Sequence, residues 1–326
     1  MIEITPWHWA GFIICILFLV TLDLGLWEKR KPGQSAGAPG AVGFRRALLW
    51  SGLWLGLALL FAAGLNHWRG RAEATQFLSG YLIEWSLSLD NILVIALIFS
   101  AFRLSPARQH RALFLGVLGA VILRGAMIGL GAVLIHQFHW LLYVFGGFLV
   151  FTGVKMVCWR AVPVPPEQNR IVRWVRRFFP VAADFDGLKL VTVVNQRRAL
   201  TPLALVVVLV ESSDLIFALD SVPAVFSVTR DAFIVFTSNI LAILGLRSLY
   251  FLLAGALDYF RHLKLGLSVV LLFVGAKMLL EPHGRTPLWF QCEIPNGVSL
   301  LTILSILALA MAWSVAAAHR EKRGTP

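Results

Sequence analysis

Along most of the chain, apolar residues come in unbroken runs and the polar residues gather between them. Neither the two-residue alternation of a half-buried strand nor the single apolar stripe of a water-facing helix dominates. The runs are about 18–25 residues long, enough to cross roughly 30 Å of hydrocarbon at about 1.5 Å per residue. Nine are expected to be transmembrane helices, over 7–27, 46–65, 77–101, 112–135, 140–159, 203–227, 232–256, 263–280 and 298–316. Alternating strands of about ten residues are absent, which excludes a barrel. The first run lacks the basic n-region and small-residue cleavage site of a signal peptide. The expected fold class is an all-α polytopic membrane protein.

Composition supports this reading. Of 326 residues, 58% are hydrophobic and 14% charged. A soluble chain carries about 25% charged residues, so this one has too little polar surface to cover itself in water. Cys15, Cys158 and Cys292 are far apart and form no CxxC or zinc spacing. The net charge of +12 could point to nucleic acid, but the bases flank the apolar runs and no recognition motif accompanies them. We therefore expect no nucleic-acid partner, and read the charge as orientation in the bilayer.

Alternate loops are strongly basic, holding Lys29–Lys31, Arg45 and Arg46; Arg103, Arg108 and Arg111; eight bases between 160 and 198; Arg261 and Lys264; and Arg320, Lys322 and Arg323. The opposite loops hold only Arg69, Arg71, Arg230 and Arg285. The positive-inside rule then puts the N-terminus outside and the C-terminus in the cytoplasm. The longest loop, 161–202, reads as a cytoplasmic basic linker near anionic headgroups.

Ionisable residues inside hydrocarbon cost several kcal/mol each and mark sites or pathways. The expected spans hold the acids Asp23, Glu84, Asp90, Glu211, Asp214 and Asp220, and the bases Arg124, Lys155, Arg247 and Lys277. They recur in order. Glu84, five residues, Asp90 and Asn91 match Asp214, five residues, Asp220 and Ser221. Arg124 matches Arg247, and Gly153-Val-Lys155-Met matches Gly275-Ala-Lys277-Met. Four ordered landmarks make an internal repeat. Each copy has three spans, so the second is inverted relative to the first, an arrangement found in many secondary transporters. The expected organisation is two helices in 1–76, a first three-helix repeat in 77–160, the linker in 161–202, a second inverted repeat in 203–281, and a final helix with its tail in 282–326.

Glu84, Ser88 and Asn91 share one helix face, as do Glu211, Asp214 and Ser221, while Asp90 and Asp220 lie about 120° off those faces. Convergence of all the carboxylates thus requires a bend, for which Pro223 provides a means in the sixth span. The donors are all oxygen, which suits a hard divalent cation such as Mn²⁺, Ca²⁺ or Mg²⁺. Pairing with Arg124 and Arg247 is the structural alternative, but six acids exceed four bases. Lys155 and Lys277 read as snorkelling, and Gly125-xxx-Gly129 as helix packing. No nucleophile–base pair, phosphate loop or cofactor motif is present, so neither an enzyme nor a bound cofactor is expected.

At these residues the sequence resembles the TerC family of integral membrane proteins, named for tellurium resistance. The carrying motifs are Glu84-xxxxx-Asp90-Asn91, Asp214-Leu-Ile-Phe-Ala-Leu-Asp220-Ser221-Val-Pro223-Ala and Thr237-Ser-Asn239-Ile-Leu-Ala-Ile-Leu-Gly-Leu-Arg247, with Asp23-Leu-Gly25 ending the first span. Length and span number resemble the Alx-type bacterial members. The resemblance implies a bacterial inner-membrane location and export of manganese. It implies Asp23, Glu84, Asp90, Asn91, Asp214, Asp220, Ser221 and Asn239 as ligands or gates, and Arg124 and Arg247 as charge-compensating groups. Glu211 is added on helix-face geometry. The resemblance is what favours Mn²⁺ over Ca²⁺. A non-transporting component of a tellurite or metal-stress complex is the competing expectation.

Overall fold

The computed structural model describes residues 5–28, 41–158, 169–194, 196–253, 263–282 and 291–324. Its helices are α1 (Pro6–Glu28), α2 (Ala41–Trp68), α3 (Arg71–Ala101), α4 (Pro106–Gln137), α5 (Leu141–Cys158), α6 (Arg170–Phe178), α7 (Pro202–Phe226), α8 (Ala232–Leu244), α9 (Leu246–Leu253), α10 (Leu263–Leu280) and α11 (Asn296–Gly324). Two short strands, β1 (Val191–Val194) and β2 (Arg197–Leu200), form an antiparallel hairpin before α7. Over the described residues each expected apolar run coincides with helix; residues 159 and 254–256, in two of the runs, lie outside them. Among the described residues, seven stretches are long and apolar enough to cross a membrane, and Pro6–Leu19 and Leu265–Leu280 are shorter apolar helices. The fold is an all-α polytopic membrane protein.

Helix boundaries follow local chemistry. Thr201 caps α7 by accepting from the Ala204 amide, and Pro202 fills the first helical position, where no amide donor is needed. Asp231 caps α8 by accepting from the Phe233 and Ile234 amides, and its carboxylate also receives Arg69 Nη1 at 2.6 Å. The run expected as one helix over 232–256 is interrupted at Gly245. That residue keeps near-helical angles (φ −73°, ψ −15°), yet ends α8, and α9 begins at Leu246.

Helices α3, α4, α7 and α8 form the centre. Helix α8 is almost wholly enclosed, and its neighbours α2, α3 and α4 wrap it. The outer helices expose large apolar side chains, such as Leu49 and Leu60 on α2 and Leu301 and Leu309 on α11, which is what lipid contact requires. Close approach relies on small residues. A methyl group built on Gly80 would lie 2.8 Å from Ser238 Oγ on α8. One on Gly275 of α10 would lie 2.9 Å from the Gly146 carbonyl oxygen on α5, and one on Gly153 would lie 3.1 Å from the Ser268 carbonyl oxygen. These two contacts are reciprocal, because the shift in numbering that takes Lys155 to Lys277 turns one pair into the other. On α4, the glycines that admit neighbours closest are Gly116, Gly119 and Gly131, whereas Gly129 of the expected packing motif faces open space.

The 161–202 segment was expected as a linker, but its described part is folded. Asn169 caps α6 through the Ile171 amide. Val172 and Val175 of α6 pack with Leu205 and Leu209 of α7. Asp186 accepts from Lys189 Nζ and Thr192 Oγ1, and the Arg108 guanidinium stands 4.2 Å from the centre of the Phe185 ring. Sequence reading missed this because the segment is short, basic and rich in proline, whereas its core consists of a few valines satisfied by membrane helices.

Candidate functional site

Arg124 of α4 is the hub of a buried polar centre. It lies 18 residues into a 32-residue helix, hence near the helix's middle. Its Nη2 donates to Asp214 Oδ1 at 2.7 Å and its Nε to Asp214 Oδ2 at 3.1 Å, a two-pronged grip on α7. Its Nη1 pairs with Glu84 of α3, and lies 3.2 Å from Ser221 Oγ and 3.3 Å from Asn239 Oδ1. Two amides close the network. Asn91 Nδ2 donates to Asp214 Oδ1 at 2.9 Å, and Asn239 Nδ2 donates to Glu84 Oε2 at 2.8 Å. All six residues are at most 4% exposed.

The arrangement follows from helix periodicity. Glu84 and Asn91 are seven residues apart on α3, as are Asp214 and Ser221 on α7, so each pair presents one face to Arg124. Asn239 comes from α8, the helix packed against α3. Ionised, two carboxylates meet a single guanidinium, which leaves one formal negative charge. Removing either partner of such a pair costs about 3–5 kcal/mol, because an uncompensated buried charge remains.

Not every expected residue joins this centre. Asp220 accepts from Thr152 Oγ1 of α5 at 3.0 Å, a partner with no signal in the sequence. Asp90 is half-buried on another face of α3. Glu211, also half-buried, lies one turn from Asp214, and its carboxylate covers Gly119 so closely that a methyl group there would meet it. Glu211 Oε2 is buried without a hydrogen-bond partner. Arg247 is buried on α9, beyond the Gly245 interruption. Asp23 falls within α1, and its side chain lies outside the described residues. Helices α3 and α7 are each continuous, α7 running through Pro223 to Phe226, and Asp220 pairs with Thr152 and not with Arg124. Among the described residues, no three His, Cys, Asp or Glu side chains are grouped closely enough to hold a metal ion. Lys277, expected to snorkel, is instead buried, 3.3 Å from both Glu281 Oε1 and Asn296 Oδ1.

A small cleft, with room for little more than one water molecule, lies beside the centre. Ile95, Leu113, Gly116, Val117, Val210 and Leu246 line it, and Asn91 and Asp214 stand among its walls. It lies toward the end of α3 and the starts of α4 and α7, the side that carries the basic loops. Asn91 Oδ1 and the Ser88 hydroxyl are buried without hydrogen-bond partners, so unsatisfied oxygen sits beside the two carboxylates.

Comparison with known proteins yields one family. The model of the integral membrane protein TerC family matches residues 69–323. "Uncharacterized membrane protein STKORF319" from Myxococcus xanthus is 47% identical over 311 residues, covering 95% of this chain and 92% of that protein. "Putative membrane-bound redox modulator Alx" from Photorhabdus laumondii is 43% identical over 316 residues, 94% of each. The protein of the same name from Escherichia coli K12 is 43% identical over 308 residues, covering 92% of this chain and 94% of its own. No solved structure matches.

Proposed function

The chain belongs to the TerC family of integral membrane proteins, and on that premise we propose that it is a secondary transporter exporting a divalent metal ion, Mn²⁺ foremost and Ca²⁺ next. The observation that carries this is charge. Glu84 and Asp214, from different helices, are held near the middle of α4 by one guanidinium. Exchanging that single positive charge for a divalent cation makes the site neutral. Arg124 acts as an internal substitute for the ion, taking the carboxylates when the ion leaves. The partnerless Asn91 Oδ1 and Ser88 Oγ supply further hard oxygen ligands. Asp90, Asp220 and Glu211 join or hand on the ion in other states of the cycle.

The small cleft beside Asp214 lies toward the side with the basic loops, the cytoplasmic side by the positive-inside rule, which supports entry of the ion from there. The N-terminus is then outside, in a bacterial inner membrane. The reciprocal contacts of α5 and α10 are those a two-fold axis between inverted three-helix repeats generates, which supports a rocking mechanism.

The test is flux. Purified protein in liposomes loaded with a divalent-sensitive dye is given Mn²⁺, Ca²⁺, Mg²⁺ or Zn²⁺ separately. Wild type should pass Mn²⁺, whereas Glu84→Gln, Asp214→Asn and the Asp90→Asn/Asp220→Asn pair should not. No flux of any ion by folded protein would refute transport. A second reading is favoured by the completeness of the Arg124 network: a static membrane component in which the acids only lock helices together. It predicts no flux and no ion effect on stability. Two of the relatives carry a redox role in their names. On this chain Cys15, Cys158 and Cys292 are exposed and unbridged, and none lies on α3, α4, α7 or α8.

A further inference from the structure

Helix α6 has an unusual outer face. Val172 and Val175 turn inward, while Trp174, Phe178 and Phe179 are each more than half exposed, and Arg170, Arg173, Arg176 and Arg177 are exposed among them. The Trp174 and Phe178 rings lie 5.0 Å apart, tilted by 57°, forming one apolar ridge flanked by guanidiniums. No acidic residue occurs between Asn169 and Pro180.

The depth of α6 follows from what it packs on. Its inner valines meet Leu205 and Leu209, in the first two turns of α7, and Ile98 and Phe102, where α3 ends. Those positions lie where two spanning helices leave the hydrocarbon, within about 10 Å of their ends at about 1.5 Å per residue. A helix held there has its outer face at headgroup level. Aromatic side chains flanked by arginine are the chemistry that settles at that level. Nearby, the hairpin repeats the pattern, with Val193 exposed opposite Arg198.

We propose that α6 is an interfacial anchor whose Trp174–Phe178 ridge inserts among the acyl chains and whose arginines bind anionic phospholipid headgroups. Since α6 packs on α7, which carries Asp214, lipid composition reaches the polar centre through one helix. The inference depends on the membrane character of the chain and not on what it transports.

The test uses full-length protein with Cys15→Ser, Cys158→Ser and Cys292→Ser. Nitroxide labels are placed singly at Trp174→Cys and Phe178→Cys, in vesicles of phosphatidylcholine with or without phosphatidylglycerol. Both labels should be reached by oxygen and shielded from a water-soluble nickel complex, more strongly with phosphatidylglycerol. In unlabelled protein, the preference for spin-labelled phosphatidylglycerol over phosphatidylcholine should fall about fivefold for each of Arg173→Gln and Arg177→Gln. Both arginines point away from Val172 and Val175, so retained amide protection of α6 would show that the helix itself persists. Labels as open to nickel as in urea-unfolded protein, or an unchanged lipid preference with α6 still protected, would overturn the proposal.

Discussion

Replacing Arg124 by methionine tests the central charge argument directly. The side chain is 1% exposed and binds two carboxylates, a hydroxyl and an amide oxygen. Methionine keeps much of the volume and removes the charge. Glu84 and Asp214 then face each other in a buried site without a counter-charge. The expected loss of stability is about 3–5 kcal/mol, the cost of stripping one partner from a buried pair. If the site accepts a divalent cation, the variant should regain stability on adding Mn²⁺, by about 2.7 kcal/mol at a hundredfold excess over the dissociation constant. Wild type should gain less, because there the ion must first displace the guanidinium. Arg124→Lys should fall between the two, keeping the charge but losing the forked grip on Asp214. The assay is thermal unfolding of the purified proteins across a Mn²⁺ series, with Mg²⁺ as comparison. A methionine variant as stable as wild type without metal would refute the counter-ion role. A destabilised variant with no metal response beyond wild type would refute the cation site.

Other outcomes follow from packing and caps. Gly275→Ala should destabilise by about 1–3 kcal/mol in the same unfolding assay, since its methyl group would press on the α5 backbone. Gly129→Ala, which meets nothing within 4 Å, should be neutral or stabilising by up to about 1 kcal/mol. Asp231→Ala should cost about 1–3 kcal/mol, losing both the α8 cap and the Arg69 pair, and should cost more than Arg69→Ala, which spares the cap. Outside the membrane, the Asp186 carboxyl is held below its ordinary value of 3.8, first by the Thr192 hydroxyl and then by Lys189. A depressed carboxyl supports the fold above its unfolded pKa and loses that support as pH falls through the folded value. The protection factors of the 186–192 amides should therefore hold at neutral pH and fall below about pH 3.8, and Thr192→Val, which narrows the gap between the folded and unfolded pKa, should make that fall smaller.

Much of the molecule can be read from residue order because the bilayer imposes simple rules. Unbroken apolar runs place the membrane helices, and charged residues within them stand out. Glu84, Asn91, Asp214, Ser221 and Arg124 come together as their seven-residue spacing and their membrane location lead one to expect. Three things were not legible. Thr152 carries no mark that distinguishes it from any helical threonine, and only the crossing of α5 and α7 brings it to Asp220. Pro223, three residues before the end of α7, removes a single backbone bond near its last turn and does not turn Asp220 into the centre. The folded cap of α6 and the hairpin lies in a stretch whose composition alone reads as a linker, since the surfaces that order it belong to α3 and α7.

The contact between α5 and α10 sets a rule for motion. At Gly146–Gly275 and at Gly153–Ser268 backbone approaches backbone, and Val150, Leu272 and Leu279 close over the same glycines, so the two helices are interlocked. The two helices cannot slide or roll against each other without first separating, so in any conformational cycle they must travel as one piece. Asp220 is tied to that piece through Thr152, whereas Asp214, six residues earlier on the same helix, is tied to α4 through Arg124. Displacement between the α5–α10 pair and α4 therefore loads the short stretch of α7 from Asp214 to Asp220, and strain applied at either end is felt at the other.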